Sequence, residues 1–197
     1  MDVFETKRLL LRGWKEADYK DLYEYAQKEE VGPFAGWPPH KSEQESKEVI
    51  RYFLQNENSY AIVWKEENKV IGSIGFHERT PDTKLSHLAQ REVGFALNPR
   101  YWGRGIVPEA VNYLLEYGFE HLCLDLIWCG HFDFNTKSRR VNEKCGFHYK
   151  FQKTNRYKLF DNQLITSVYY CMTKEEYFKK LQEPSASVSH TNQVSST

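Results

Sequence analysis

Between positions 98 and 110 the chain reads Asn98-Pro99-Arg100-Tyr101-Trp102-Gly103-Arg104-Gly105-Ile106-Val107-Pro108-Glu109-Ala110. Gly103 and Gly105 stand one residue apart, between a stretch of strand character and an apolar helical stripe. Glycines at such a junction let successive backbone N–H groups converge, and the helix start adds a partial positive charge, so the segment suits an anion. Arg100 or Arg104 would add charge-assisted contacts. The same two glycines would also serve a plain strand-to-helix turn. Two phosphate-binding designs are excluded: no Gly-Lys-Ser/Thr follows, and Pro108 stands where a dinucleotide fingerprint has its third glycine. Pro108 has no N–H, so the donors come from residues 103 to 107.

The elements that position this segment follow from periodicity. Residues 8–12 read as a first strand, and Leu22, Tyr25 and Ala26 mark a helix over 18–28. Three prolines and two glycines make 31–40 a loop, rich in large apolar groups. Ser42 with Glu45 forms a capping signature for a helix over 43–55. Residues 60–64 and 69–76 read as a hairpin, 80–90 as polar loop and 91–97 as a strand ended by Asn98-Pro99. A helix starts at Val107 with Pro108 in its first turn. A strand over 122–132, a helix over 136–145 stopped by Gly146 and a hairpin of 157–160 with 164–172 follow, then a last helix over 175–181. The strand at 91–97, the helix at 107 and the strand at 122–132 make a β-α-β unit, so an α/β fold with a mixed sheet flanked by helices is expected.

The chain has 197 residues, the length of one domain, expected over 1–182, with 183–197 polar and aperiodic as a disordered tail would be. Lys+Arg and Asp+Glu are both 27, and this zero balance argues against nucleic acid, whose phosphates call for a basic excess. Hydrophobic residues at 40% suffice for a core. No apolar run is long enough to cross a bilayer and MDVFETKRLL does not read as a signal peptide, so no membrane and a cytoplasmic location are expected. The four cysteines form no C-x-x-C pair and are expected reduced. Cys123, Cys129 and His131 share strand parity but lack a fourth ligand at a recognisable spacing, so no metal is expected, and Cys145 beside His148 reads as core packing rather than a nucleophile.

Arg100, Gly103 and Gly105 match the [RQ]-x-x-G-x-[GA] signature, and the segment resembles motif A of the GNAT acyltransferase superfamily. Glu92 to Leu97 looks like the strand that precedes it there. Asn135, Ser138, Lys144, Gly146 and Phe147 are similar to the N-x-x-S-x-x-x-x-x-K-x-G-F element downstream. Thr6-Lys7-Arg8-Leu9-Leu10-Leu11-Arg12 resembles the opening of the branch that includes the ribosomal-protein N-terminal acetyltransferases. The likeness spans roughly residues 6 to 172.

What the resemblance implies is a mostly antiparallel mixed sheet with a splayed central parallel strand pair. Acetyl-CoA would lie in the splay as co-substrate, without a metal. Its pyrophosphate would meet the amides of Gly103, Arg104, Gly105, Ile106 and Val107, with Arg100, Asn135, Ser138 and Lys144 as further contacts, and its pantetheine arm would pair with main chain at Phe95 and Leu97. The acceptor would be a protein N-terminal α-amine or a small-molecule amine, and a homodimer is within the implied assemblies. An α-amine is about a tenth neutral or more at pH 7, a lysine far less, so a base helps either. Glu92 matches the strand position that supplies it, with a simple ion pair as the other reading. Phe95 would donate its amide to the oxyanion, and Ser138, in place of the tyrosine of many members, would protonate the leaving thiolate. Asn135 would also cap its helix. Phe34, Trp37 and His77 would line the acceptor site, the two aromatics being equally suited to plug the core. The alternative is a CoA-binding or regulatory module of the same fold without turnover.

Overall fold

The computed structural model describes residues 2–182; the tail expected over 183–197 lies outside them. Eight strands form one sheet: β1 Phe4–Glu5, β2 Leu9–Arg12, β3 Tyr60–Trp64, β4 Lys69–His77, β5 Gln90–Leu97, β6 Leu126–Phe132, β7 His148–Tyr157 and β8 Gln163–Thr173. Their order across the sheet is β1-β2-β3-β4-β5-β6-β8-β7. β5 and β6 are parallel and the other pairs antiparallel. This is the mixed α/β sheet expected from the sequence.

The helices are α1 Tyr19–Ala26, α2 Gly32–Ala35, α3 Glu43–Asn56, α4 Ile106–Glu116, α5 Thr136–Cys145 and α6 Lys174–Gln182. α4, α5 and α6 cover one face, where Leu114, Phe119, Cys145 and Tyr177 bury against Leu9, Ile62, Val93 and Ile127. α1 and α3 cover the other, with Leu22, Tyr25 and Ile50 against Val63, Val70 and Ala96. Each face therefore removes a continuous apolar layer from water, which is the main stabilising term. The Ser42 side chain accepts the Glu45 N–H at the start of α3, and Gly146 ends α5 in the left-handed conformation at φ 83°, both as the sequence indicates.

Three elements differ from expectation. The last hairpin pairs β7 with β8, so the outer strand runs over His148–Tyr157, and Lys158–Phe160 is a 3-10 turn. β7 is a sheet edge with mostly exposed side chains, so no apolar alternation marks it in the sequence. The strand expected from 122 starts at Leu126, because the helical path after α4 continues as a π-helical turn over Tyr117–His121 that buries Gly118 and Phe119. The loop at 31–40 contains α2: Pro33 falls in its first turn, where its missing N–H costs nothing, and Gly36 closes it at φ 91°.

Arg8 and Thr6 account for the opening segment. Thr6 Oγ1, the Arg8 amide and Arg8 Nε donate to the Glu109 carboxylate at 2.6, 3.0 and 2.7 Å. Arg8 Nη1 also donates to the Arg104 carbonyl at 2.8 Å. The first strand thus fastens α4 and the loop before it.

Candidate active site

β5 and β6 pair only through Gln90, Arg91 and Glu92 with Leu126, Ile127 and Trp128. Beyond these, β5 stays on β4 up to Leu97 and β6 stays on β8 up to Phe132, so the two strands part. The Asn98 amide donates to the Ile71 carbonyl at 2.7 Å, which sets the antiparallel alternation. Ala96 and Gly94 therefore turn their main-chain groups toward β4, and Leu97 and Phe95 turn theirs toward the gap. The Leu97 carbonyl accepts from Trp102 Nε1 at 2.9 Å. A cavity of about 640 Å³ fills the gap and runs from the loop before α4 to α2.

At one end Gly103 and Gly105 adopt φ 76° and 71°, the left-handed region that glycine enters without strain. A Cβ on Gly103 would meet nothing within 4 Å, so the loop presents bare backbone to an open space, as an approaching anion requires. Gly103, Gly105, Ile106 and Val107 line the cavity. Opposite them, α5 turns Lys137, Arg140 and Lys144 to it at helical spacing. Lys137 Nζ sits 3.6 Å from the Trp102 ring centroid, joining α5 to the glycine loop.

The residue types here fit an acetyl-CoA co-substrate: converging amides and three cations for phosphates, and the strand groups of Phe95 and Leu97 for the amides of an extended arm. Arg100 and Arg104 lie elsewhere. Arg100 Nη1 is 3.5 Å from Glu24, and the Arg104 guanidinium rests over the Tyr101 ring at 5.2 Å; neither lines the cavity.

Glu92 stands where the strands part and is only 7% exposed. Burial raises its pKa, and Arg79, 3.5 Å away, together with the Gly130 amide that donates to it, offsets part of that shift. Raised proton affinity suits a base working near neutral pH. Of the simple pairings open to Glu92, the one with Arg91 is not found, since Arg91 bonds Glu78 at 2.9 Å, whereas one with a surface group is, through the largely exposed Arg79. Gly130 makes the arrangement possible: a Cβ there would fall 2.8 Å from Glu92 Oε1. His77 is the cross-strand partner of Glu92, and burial, with the charge of Arg79, lowers its pKa, favouring the neutral imidazole.

The gap is reached from both sides. Ser138, half-buried in the first turn of α5, and Lys144 approach from the α4–α5 side. Glu92, His77, Phe34 and Trp37 line it toward α2. Asn135 joins the two walls: its Oδ1 accepts the Ser138 amide at 3.1 Å, capping α5, and its Nδ2 donates to the Phe34 carbonyl at 3.0 Å. Trp37 packs against the α1–α3 core while lining the cavity, whereas Phe34 is 36% exposed. Trp37 is thus both core packing and cavity lining, and Phe34 is cavity lining at the surface. Cys145 is fully buried and burial pushes its thiol up to about 11, so it is packing.

The sequence reading missed Gly130, Arg79, Lys137, Arg140, Phe132 and Tyr157 at the cavity. Lys137, Arg140 and Lys144 share one helical face, a signal present in the sequence; Gly130, Phe132 and Tyr157 come together through strand register, and Arg79 through the loop that follows β4. Among the described residues no cluster of three His, Cys, Asp or Glu side chains is placed to hold a metal, and no helix is long and apolar enough to cross a membrane.

Residues 8–148 match the acetyltransferase (GNAT) domain family, and the chain belongs to it. It is an acyltransferase by family, in which acetyl-CoA is the acyl donor. The chain is 28% identical over 182 residues to the N-acetyltransferase p20 of Bacillus licheniformis, covering 90% of this chain and 99% of that protein. It is 29% identical over 107 residues to the FsC-acetyl coenzyme A-N(2)-transacetylase of Aspergillus fumigatus, covering 54% of this chain and 45% of that protein. The fold is similar to that of a GNAT-family acetyltransferase from Bacillus anthracis, with TM-score 0.77, 24% identity and coverage of 89% and 100% of the two chains.

Proposed function

We propose that this protein transfers an acetyl group from acetyl-CoA to a primary amine by direct attack. The observation that carries the reading is the buried Glu92 carboxylate at the point where β5 and β6 separate, lining a cavity that the glycine loop and the cations of α5 also line. The diphosphate would lie between the glycine loop and the cations of α5, and the arm along Phe95 and Leu97. The amine nitrogen attacks the thioester carbonyl carbon, forming the C–N bond while the carbonyl π electrons move to oxygen, where the Phe95 amide donates. The attacking nitrogen loses its proton to Glu92, directly or through water. Collapse breaks the C–S bond, and Ser138 supplies the proton that the thiolate takes, recovering its own from solvent.

The acceptor is an α-amine of a protein or peptide or the amine of a small molecule; the resemblance of the opening segment to the ribosomal-protein N-terminal branch favours the first. A homodimer and a cytoplasmic setting accord with that branch. The test is thiol release from acetyl-CoA over a panel of amines, with pH profiles for the native protein and Glu92→Gln. The native kcat/KM is expected to rise with pH through an inflection above the ordinary carboxylate value, and Glu92→Gln to lose that inflection. An unchanged profile in the variant would remove Glu92 as base. Binding of CoA without thiol release from any amine would instead favour a non-catalytic module.

A further inference from the structure

The acceptor end of the cavity is built of rings. Gly130 and Phe132 alternate on β6 with the same parity, and Gly130 lies against Glu92, so the Phe132 side chain stands on the face of the carboxylate, two residues or roughly 7 Å along the strand. Tyr157 and Phe160 meet the Phe132 ring edge-on at 5.1 and 5.5 Å, and the position of a Cβ on Gly36 is 3.8 Å from its Cζ. Phe34 joins the same cluster through an edge contact to Phe134 at 5.3 Å, and Phe134 stacks on Phe132 at 5.4 Å. The Tyr157 hydroxyl is engaged by Ser167 at 2.6 Å, so that residue offers the cavity mainly its ring.

Charge narrows the occupant further. The carboxylates lining the cavity are Glu30, on the exposed rim, and Glu92, which the reacting nitrogen requires. A second ammonium on the acceptor would have no buried carboxylate to meet, and desolvation between rings would work against it. The same desolvation favours the neutral form of a single amine, the form that attacks.

Resting on the acetyltransferase reading above, we propose that the acceptor is a primary monoamine bearing an aromatic ring, seated ring-first against Phe34, Phe132 and Tyr157 with its nitrogen at Glu92. Both a free arylalkylamine and a peptide that begins with an aromatic residue carry this chemistry.

The experiment measures thiol release at saturating acetyl-CoA with 2-phenylethylamine, tryptamine, a phenylalanine-initiated peptide, n-butylamine and spermidine. The aryl amines, free or peptidyl, are expected to exceed n-butylamine and spermidine about tenfold or more in kcat/KM, and the peptide arm identifies the source. Phe34→Ala alters an exposed ring outside the core and is expected to collapse that ratio mainly through KM for the aryl amine, with KM for acetyl-CoA unmoved; Phe34→Tyr is expected to restore it. Turnover of n-butylamine or spermidine that equals or exceeds that of the aryl amines, or a ratio that survives Phe34→Ala, overturns the inference and leaves the transferase reading standing. Absence of thiol release with every amine, in protein that binds acetyl-CoA, overturns both.

Discussion

Replacing Gly130 by alanine tests whether the placement of Glu92 matters to the chemistry. Gly130 has ordinary strand backbone, so alanine meets no left-handed strain and the perturbation is confined to one added methyl. That methyl would lie 2.8 Å from Glu92 Oε1 and 3.3 Å from the Tyr169 ring, where ordinary contact begins at 3.4 Å. The carboxylate must therefore retreat by about 0.6 Å, and its bond from the Gly130 amide is disturbed as well. A misplacement of ~1 Å at a reacting group costs on the order of a hundredfold in rate, so a loss of about ten- to a hundredfold, or ~1.4–2.8 kcal/mol, is expected. Steady-state thiol release would show it in kcat, while calorimetric affinity for acetyl-CoA stays at the native value. Alanine also stiffens the unfolded chain, which opposes the local crowding, so the melting temperature should shift by no more than about 3 °C. Native kcat in Gly130→Ala would refute the reasoning, because the position of the carboxylate would then be irrelevant to turnover.

Three other outcomes are expected. Because the folded state raises the Glu92 pKa, it binds the proton more tightly than the unfolded chain, so this group makes stability fall as pH rises from the ordinary 4.5 through the folded value. Glu92→Gln lacks that titration, and its melting temperature should climb relative to the native protein across the same interval; parallel curves would contradict the burial argument. Asn135→Ala removes the α5 cap and the tether to Phe34, costing about 1 kcal/mol or roughly 2–4 °C by scanning calorimetry, with a raised KM for the acceptor. An unaltered acceptor KM would separate the tether from binding. Gly103→Ala forces a side chain into φ 76° and puts a methyl into the cradle, so a loss of about 1 kcal/mol in stability and at least about fivefold weaker CoA binding by calorimetry are expected.

The sequence by itself determined what depends on neighbours along the chain. Gly103 and Gly105 declared a turn of bare amides, Ser42 declared the start of α3, and Asn135 and Gly146 bracketed α5, because caps and left-handed turns are settled within a few residues. The β-α-β order likewise indicated the parallel pair, since such a crossover connects strands of one sheet. Elements stabilised from outside their own segment were not legible. The exposed edge strand β7 exists through pairing with β8, and the π-helical turn after α4 through the burial of Phe119.

The site divides in the same way. Glu92, Phe95 and Ser138 could be named through the family resemblance of their segments and Phe34 from its aromatic loop, but only the tertiary structure brought Arg79, Gly130 and Tyr157 to the cavity with Glu92. It also turned Arg100 toward Glu24 and Arg104 over Tyr101, leaving Lys137 and Arg140 of α5 facing the cradle. A side chain's type fixes what it can bind or titrate. Its partner across a sheet is fixed by register, and register follows from how two distant strands best bury their apolar faces.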